Sequence, residues 1–156
     1  MSGTSALEPP AARALRGDQP VRAAGRWLGR RRLVFVGERR SERARQIGAS
    51  WERGGLCANT LHGALRACGI DPSSVVFCNL FQEGTGVLHI DQVALAQVRA
   101  LAADGATIVA LGRGVQRALG REGVGFLALV HPAARSRIRA RARYRAHVAD
   151  VLASAR

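Results

Sequence analysis

Short apolar runs alternate with longer stretches whose apolar residues fall at helical spacing. Leu33-Val34-Phe35-Val36-Gly37 is continuous, β-branched and closed by glycine, which predicts a buried strand. Val75-Val76-Phe77-Cys78, running into Asn79, predicts a second. Residues 107–111 and 125–130 predict a third and a fourth. Residues 38–56 read as a polar loop. Beyond it Leu61, Leu65 and Cys68 share one helical face, and Gly69 stops that helix. Asp71-Pro72-Ser73-Ser74 is turn chemistry. Gln82 to Gly86 reads as a loop, and Asp91 caps a helix that runs to about Ala103 and ends at Gly105. Gly112 and Gly114 open a short helix to about Leu119, and a last helix is predicted over residues 143–155.

Strands without polar alternation, separated by helices, are the signature of parallel βαβ units with both sheet faces covered. The expected fold is α/β: three α/β/α layers around a four-stranded, mainly parallel sheet. Such sheets bind ligands beyond the carboxyl ends of their strands. Here those ends carry Gly37-Glu38, Asn79, Gly112 and His131. The pattern begins at residue 33. Residues 1–32 are rich in Pro, Ala and Arg, broken at Pro9-Pro10 and Pro20, and end in Arg30-Arg31-Arg32. They read as a basic arm, helical in part around residues 21–28 or else a flexible tail; residues 33–156 read as one domain.

Composition adds a partner class. The 156 residues carry 24 Lys and Arg against 11 Asp and Glu, a net charge of +13. Nearly all the cations are Arg beside abundant Ala and Gly, as a compositional bias would produce. The acidic residues are scarce too, so the positive field is real and suits a polyanion. Three cysteines without a CxxC pair argue against a disulfide framework or a zinc site, and the four histidines lack ligand spacing. No stretch has the length of a membrane span. The N-terminus lacks the apolar core of a signal peptide, although Arg-rich, acid-poor leaders are also a feature of transit peptides. A cytoplasmic, reduced, monomeric protein is expected. No internal repeat, P-loop or dinucleotide fingerprint is present; Gly112-Arg113-Gly114 is too little for the last.

Order and spacing carry one further reading. Val36-Gly37-Glu38 opens a loop that runs through Gly48-Ala49-Ser50-Trp51; a strand ends Phe77-Cys78-Asn79-Leu80; Ile108-Val109-Ala110-Leu111-Gly112 follows; the last strand ends Leu129-Val130-His131-Pro132-Ala133, with Arg137 beyond it. Over roughly residues 33–152 this resembles the uracil-DNA glycosylase superfamily, nearest its thermophile-type branch. The pattern there is Gly-Glu-Ala-Pro-Gly, a later Gly-x-x-Phe, an Asn ending the next strand, and His-Pro-Ser/Ala followed by Arg.

The resemblance implies hydrolysis of a base's N-glycosidic bond in DNA after base flipping, leaving an abasic site. Carried over position by position, Gly37 and Glu38 stand in the first motif, with Glu38 handling the attacking water. Trp51 stands where the family stacks a Phe on the base, and the polar sequence around it favours an exposed ring. Asn79 reads the base edge, and His131 binds the departing base's oxygen. Arg135 and Arg137 are placed for phosphates. Arg39-Arg40-Ser41 stands where the family has Ala-Pro-Gly, so two cations adjoin the water site and are candidates for a phosphate contact. The residues that wedge into the duplex, typically Leu, are Arg135 and Ser136. The cluster-ligand cysteines are absent, so no cofactor is implied. His89 and Asp91 form a candidate auxiliary acid/base pair.

Three functions compete: a DNA glycosylase of unspecified base, uracil or another modified or damaged one; a non-catalytic DNA-binding module on the same fold; and an enzyme of free nucleosides or nucleotides. The charge ranks the third last.

Overall fold

The computed structural model describes residues 32–134 and 140–155. Residues 1–31 of the N-terminal arm, Arg135 and Arg137 lie outside the described residues. The elements run β1 (Leu33–Gly37), α1 (Glu42–Gln46), α2 (Leu56–Ala67), a 3₁₀ turn (Pro72–Ser74), β2 (Val76–Asn79), α3 (Gln92–Ala103), β3 (Thr107–Leu111), α4 (Arg113–Arg121), β4 (Leu127–Leu129) and α5 (Arg141–Ala153).

The sheet has four strands in the order β2-β1-β3-β4. Every pairing is parallel, so "mainly parallel" sharpens to wholly parallel. The period of two splits each strand between two cores. Leu33, Phe35, Phe77, Val109, Leu111 and Leu129 face the layer of α2 and α5, whose Leu61, Leu65, Tyr144, Val148 and Leu152 complete one cluster. Val34, Val36, Val76, Ile108 and Ala110 face α3 and α4, against Leu95, Val98, Val115 and Leu119. The fold is therefore a three-layer α/β/α sandwich. Burying each large aliphatic side chain contributes about 1.5–3 kcal/mol.

The register brings the strand ends to one rim. Gly37 pairs with Asn79, Val36 with Ala110, and Leu111 with Leu129. Glu38, Asn79, Gly112 and His131 therefore emerge along the same carboxyl edge. The sheet reverses its direction of growth between β1 and β3, which is where such folds open a crevice.

Two local expectations are corrected. Residues 38–56 are not all loop: Ser41 Oγ accepts from Ala44 N at 3.1 Å and caps the short helix α1. The fourth strand is three residues long rather than six, and Ala128 on it is exposed. The three cysteines are free thiols.

Candidate active site

A cavity of about 240 Å³ opens at the carboxyl edge, lined by Trp51, Asn79 and His131 with Arg39, Arg40 and Ala58 among its walls. Its construction starts at Gly37. A Cβ built there would stand 2.5 Å from Trp51 Nε1 and 2.9 Å from Asn79 Oδ1. Only a residue without a side chain lets those two groups meet above the end of β1. They meet in a hydrogen bond of 2.9 Å, with the indole N–H donating to Asn79 Oδ1.

That bond fixes the amide. An indole nitrogen only donates, so it must face the amide oxygen and not its nitrogen. Asn79 Nδ2, with two donors, has no partner among the described residues. Asn79 therefore offers the cavity chiefly donors.

Trp51 is buried, at 9% exposure, which corrects the expectation of an exposed ring. The polar residues flanking it form a tight turn, in which Gly54 N donates to Ser50 O at 3.0 Å and Arg53 N to Ser50 Oγ at 3.0 Å. That turn folds the ring inward. The indole stacks on Phe77 with centroids 6.1 Å apart and planes 12° apart, and it meets His131 edge-on at 5.9 Å. Trp51 is thus both core and cavity wall.

His131 Nδ1 accepts from Ala133 N at 3.1 Å, so a neutral ring carries its proton on Nε2. Burial lowers its pKa from the ordinary 6.5, and the Glu38 carboxylate partly opposes this. At neutral pH the ring is a neutral donor. Its backbone is held from α5, a contact that the sequence did not announce. Tyr144 Oη donates to Val130 O at 3.0 Å, and His147 Nε2 accepts from Val130 N at 3.1 Å. Both peptide groups of the residue before His131 are therefore fixed. Burial holds the Tyr144 phenol well above its usual range, which keeps the donor protonated. Tyr and His three apart on a helix rich in Arg carried no recognisable signal.

Glu38 does not line the first cavity. It lines a neighbouring one of about 410 Å³ with Gly84, Gly86 and His131. His131, Arg39, Arg40 and Ser41 border both. A Cβ at Gly114 would lie 3.3 Å from Glu38 Oε2, so the carboxylate sits by the first turn of α4. The positive end of the helix dipole favours a carboxylate there. Among the described residues it has no hydrogen-bond or ion-pair partner, which leaves its lone pairs to solvent.

The two cations that follow Glu38 are tied down. Arg39 donates to Gly86 O at 2.8 Å, and Arg40 Nε pairs with Glu83 at 2.8 Å. Arg45 reaches the same carboxylate at 3.7 Å. Main-chain bonds from Leu80 N to Gly37 O and from Phe81 N to Glu38 O, both 2.9 Å, bind the 80–90 segment to the first loop. Arg40, expected to contact a phosphate, is thus paired on the surface with Glu83. Arg39 has no acidic partner among the described residues. Asp91 Oδ1 accepts from Val93 N and Ala94 N as the cap of α3, and His89, the candidate partner of Asp91, is exposed.

No three or more His, Cys, Asp and Glu side chains group to hold a metal ion among the described residues. None of the described helices is long and apolar enough to cross a membrane. A scan against protein-family models finds no match to the chain, and a search of curated proteins finds none.

Proposed function

We propose that the protein is a DNA glycosylase of the uracil-DNA glycosylase type, which flips a modified base into the cavity beneath Trp51 and hydrolyses its N-glycosidic bond. The observation that carries this reading is the convergence of Trp51, Asn79 and His131 on one cavity. Each comes from a different strand end or loop, and each has a distinct task. The Trp51 wall supports a planar ring, a contact generally worth about 1–3 kcal/mol. Asn79 Nδ2 donates to an acceptor on the base edge, so a carbonyl-bearing base such as uracil fits better than one presenting an amino group there. The neutral Nε2–H of His131 faces the oxygen on which negative charge grows as the base departs, a placement that stabilises the transition state without any proton transfer.

Water attacks the sugar's anomeric carbon as the bond to the base nitrogen breaks, and the base leaves with the bonding pair. Glu38, in the adjoining cavity, accepts the water's proton and stabilises the cationic sugar. The high net charge supplies attraction to the phosphate backbone.

The separation of Glu38 from the first cavity favours one second reading: a module that binds an extruded base without cleaving it. Oligonucleotides bearing single modified bases, cleaved afterwards at abasic sites, separate the two. A glycosylase gives abasic product that falls about 10²–10³-fold in His131→Ala while DNA binding persists. Absence of product from every base tested, with folded protein bound to the DNA, leaves only the binding module.

A further inference from the structure

A second cleft, of about 340 Å³, lies between α2 and α5 and is lined by Asn59, Thr60, Gly63, Arg141 and Arg145. Among the described residues, its polar side chains can all donate hydrogen bonds and no carboxylate borders it. Asn59 Oδ1 is already occupied by Gly55 N–H at 2.8 Å, which leaves the amide donors of Asn59 to the cleft. Arg141 and Arg145 stand one helical turn apart. Neither has an acidic partner among the described residues. Gly63 has no side chain, and a Cβ there would lie 3.6 Å from the Arg145 guanidinium. A Cβ there would only touch the guanidinium, so a larger side chain is what it takes to fill the cleft.

The helix that carries the two arginines is electrostatically inverted. α5 begins without a side-chain cap and without an acidic residue in its first turn. It places Arg141 and Arg143 in its first turn, at the positive end of its dipole, where cations are disfavoured and anions favoured. Helix formation alone gains nothing from this arrangement. An anion held between Arg141 and Arg145 offsets it.

We infer that the cleft between α2 and α5 is a phosphate-binding site that grips the backbone of a DNA strand beside the base cavity. Gly55, Cys57 and Ala58 at the start of α2 line the base cavity, and the next residue, Asn59, lines the cleft. A strand whose base enters one is within reach of the other through its neighbouring phosphate. The inference rests on the glycosylase reading for the choice of polymer and not for the anion chemistry.

The test uses the full chain and the double variant Arg141→Ala/Arg145→Ala. Inorganic phosphate raises the melting temperature of the wild type above that in chloride at equal ionic strength, and leaves the variant unmoved. Binding of an unmodified oligonucleotide weakens in the variant. Its slope of log K against log salt flattens by roughly 1.4 on single-stranded DNA, or 1.8 on duplex, the amount two lost phosphate contacts remove. Gly63→Glu, which sets a carboxylate beside Arg145, abolishes the phosphate response in a chain with wild-type circular dichroism. An unchanged salt slope and phosphate response in the double variant overturns the inference. So does a phosphate response in a wild type whose DNA affinity ignores both arginines, since the site then takes free anions only. The base reading fails separately: cleft-dependent DNA binding with no base excised refutes the glycosylase and leaves this site standing.

Discussion

Gly37 shows how much a single position controls. It is the last residue of β1, and its missing side chain is the space in which Trp51 and Asn79 bond. Gly37→Ala forces the indole or the amide aside. Overpacking of this kind costs about 1–3 kcal/mol, so the denaturant midpoint falls, and fluorescence in a Trp27→Phe background reports the displaced Trp51 ring. On the glycosylase reading, the same substitution also weakens the discrimination between modified and ordinary bases, because Asn79 loses the contact that orients it. At His131 the tautomer follows from one contact, the Nδ1 acceptor of Ala133 N–H. Glu38 is the charge that holds the His131 pKa up against burial. Glu38→Gln therefore moves the His131 titration to lower pH, as NMR of the ring protons measures directly; an unmoved titration shows that the carboxylate does not face the imidazole.

Among the elements, α5 does more than cover the sheet. Its Tyr144 and His147 hold both peptide groups of Val130, and Val130 carries His131. Tyr144→Phe keeps the packing and removes one hydrogen bond, leaving a partly buried carbonyl unpaired. A loss of about 1 kcal/mol in stability is expected. If the clamp positions His131, turnover falls more than substrate affinity does; an equal fall in both assigns Tyr144 to the core alone. The loop between β1 and α2 is the second active element. It folds through α1 and the Ser50–Gly54 turn, and that path carries Trp51 inward.

At the scale of the whole molecule, stability and pH are linked through two histidines. His131 and His147 both have pKa values lowered from 6.5, chiefly by burial, with Glu38 and Asp150 opposing. The folded state thus binds fewer protons than the unfolded state just below pH 6.5. Their contribution is complete above the unfolded value. It is lost as pH falls from about 6.5 through the lower folded values, and it then levels off. Protonation of His147 also ends its acceptance of Val130 N–H. Urea midpoints measured from pH 7.5 to 4.5 should fall across that window, and Ala at both positions should flatten the fall. A midpoint that rises on acidification contradicts the linkage.

The chain's hydrophobic pattern by itself determined the α/β class, the strands at residues 33–37 and 107–111, the Asp91 cap and the edge at which polar residues gather. Continuous apolar runs and strong punctuation by Gly, Pro and Asp are local signals, and parallel sheets of this kind leave few alternatives. Short elements escaped because they have no period to read: α1 spans five residues and β4 three. The wholly parallel order β2-β1-β3-β4, the burial of Trp51, the pairing of Arg40 with Glu83 and the clamp on Val130 were decided only by tertiary structure. Each joins residues far apart in the chain, and whether a cation is free or an indole exposed depends on what the fold sets beside it. Residue type named the candidates Glu38, Asn79 and His131; packing decided which atoms they present, and it placed Glu38 in the neighbouring cavity.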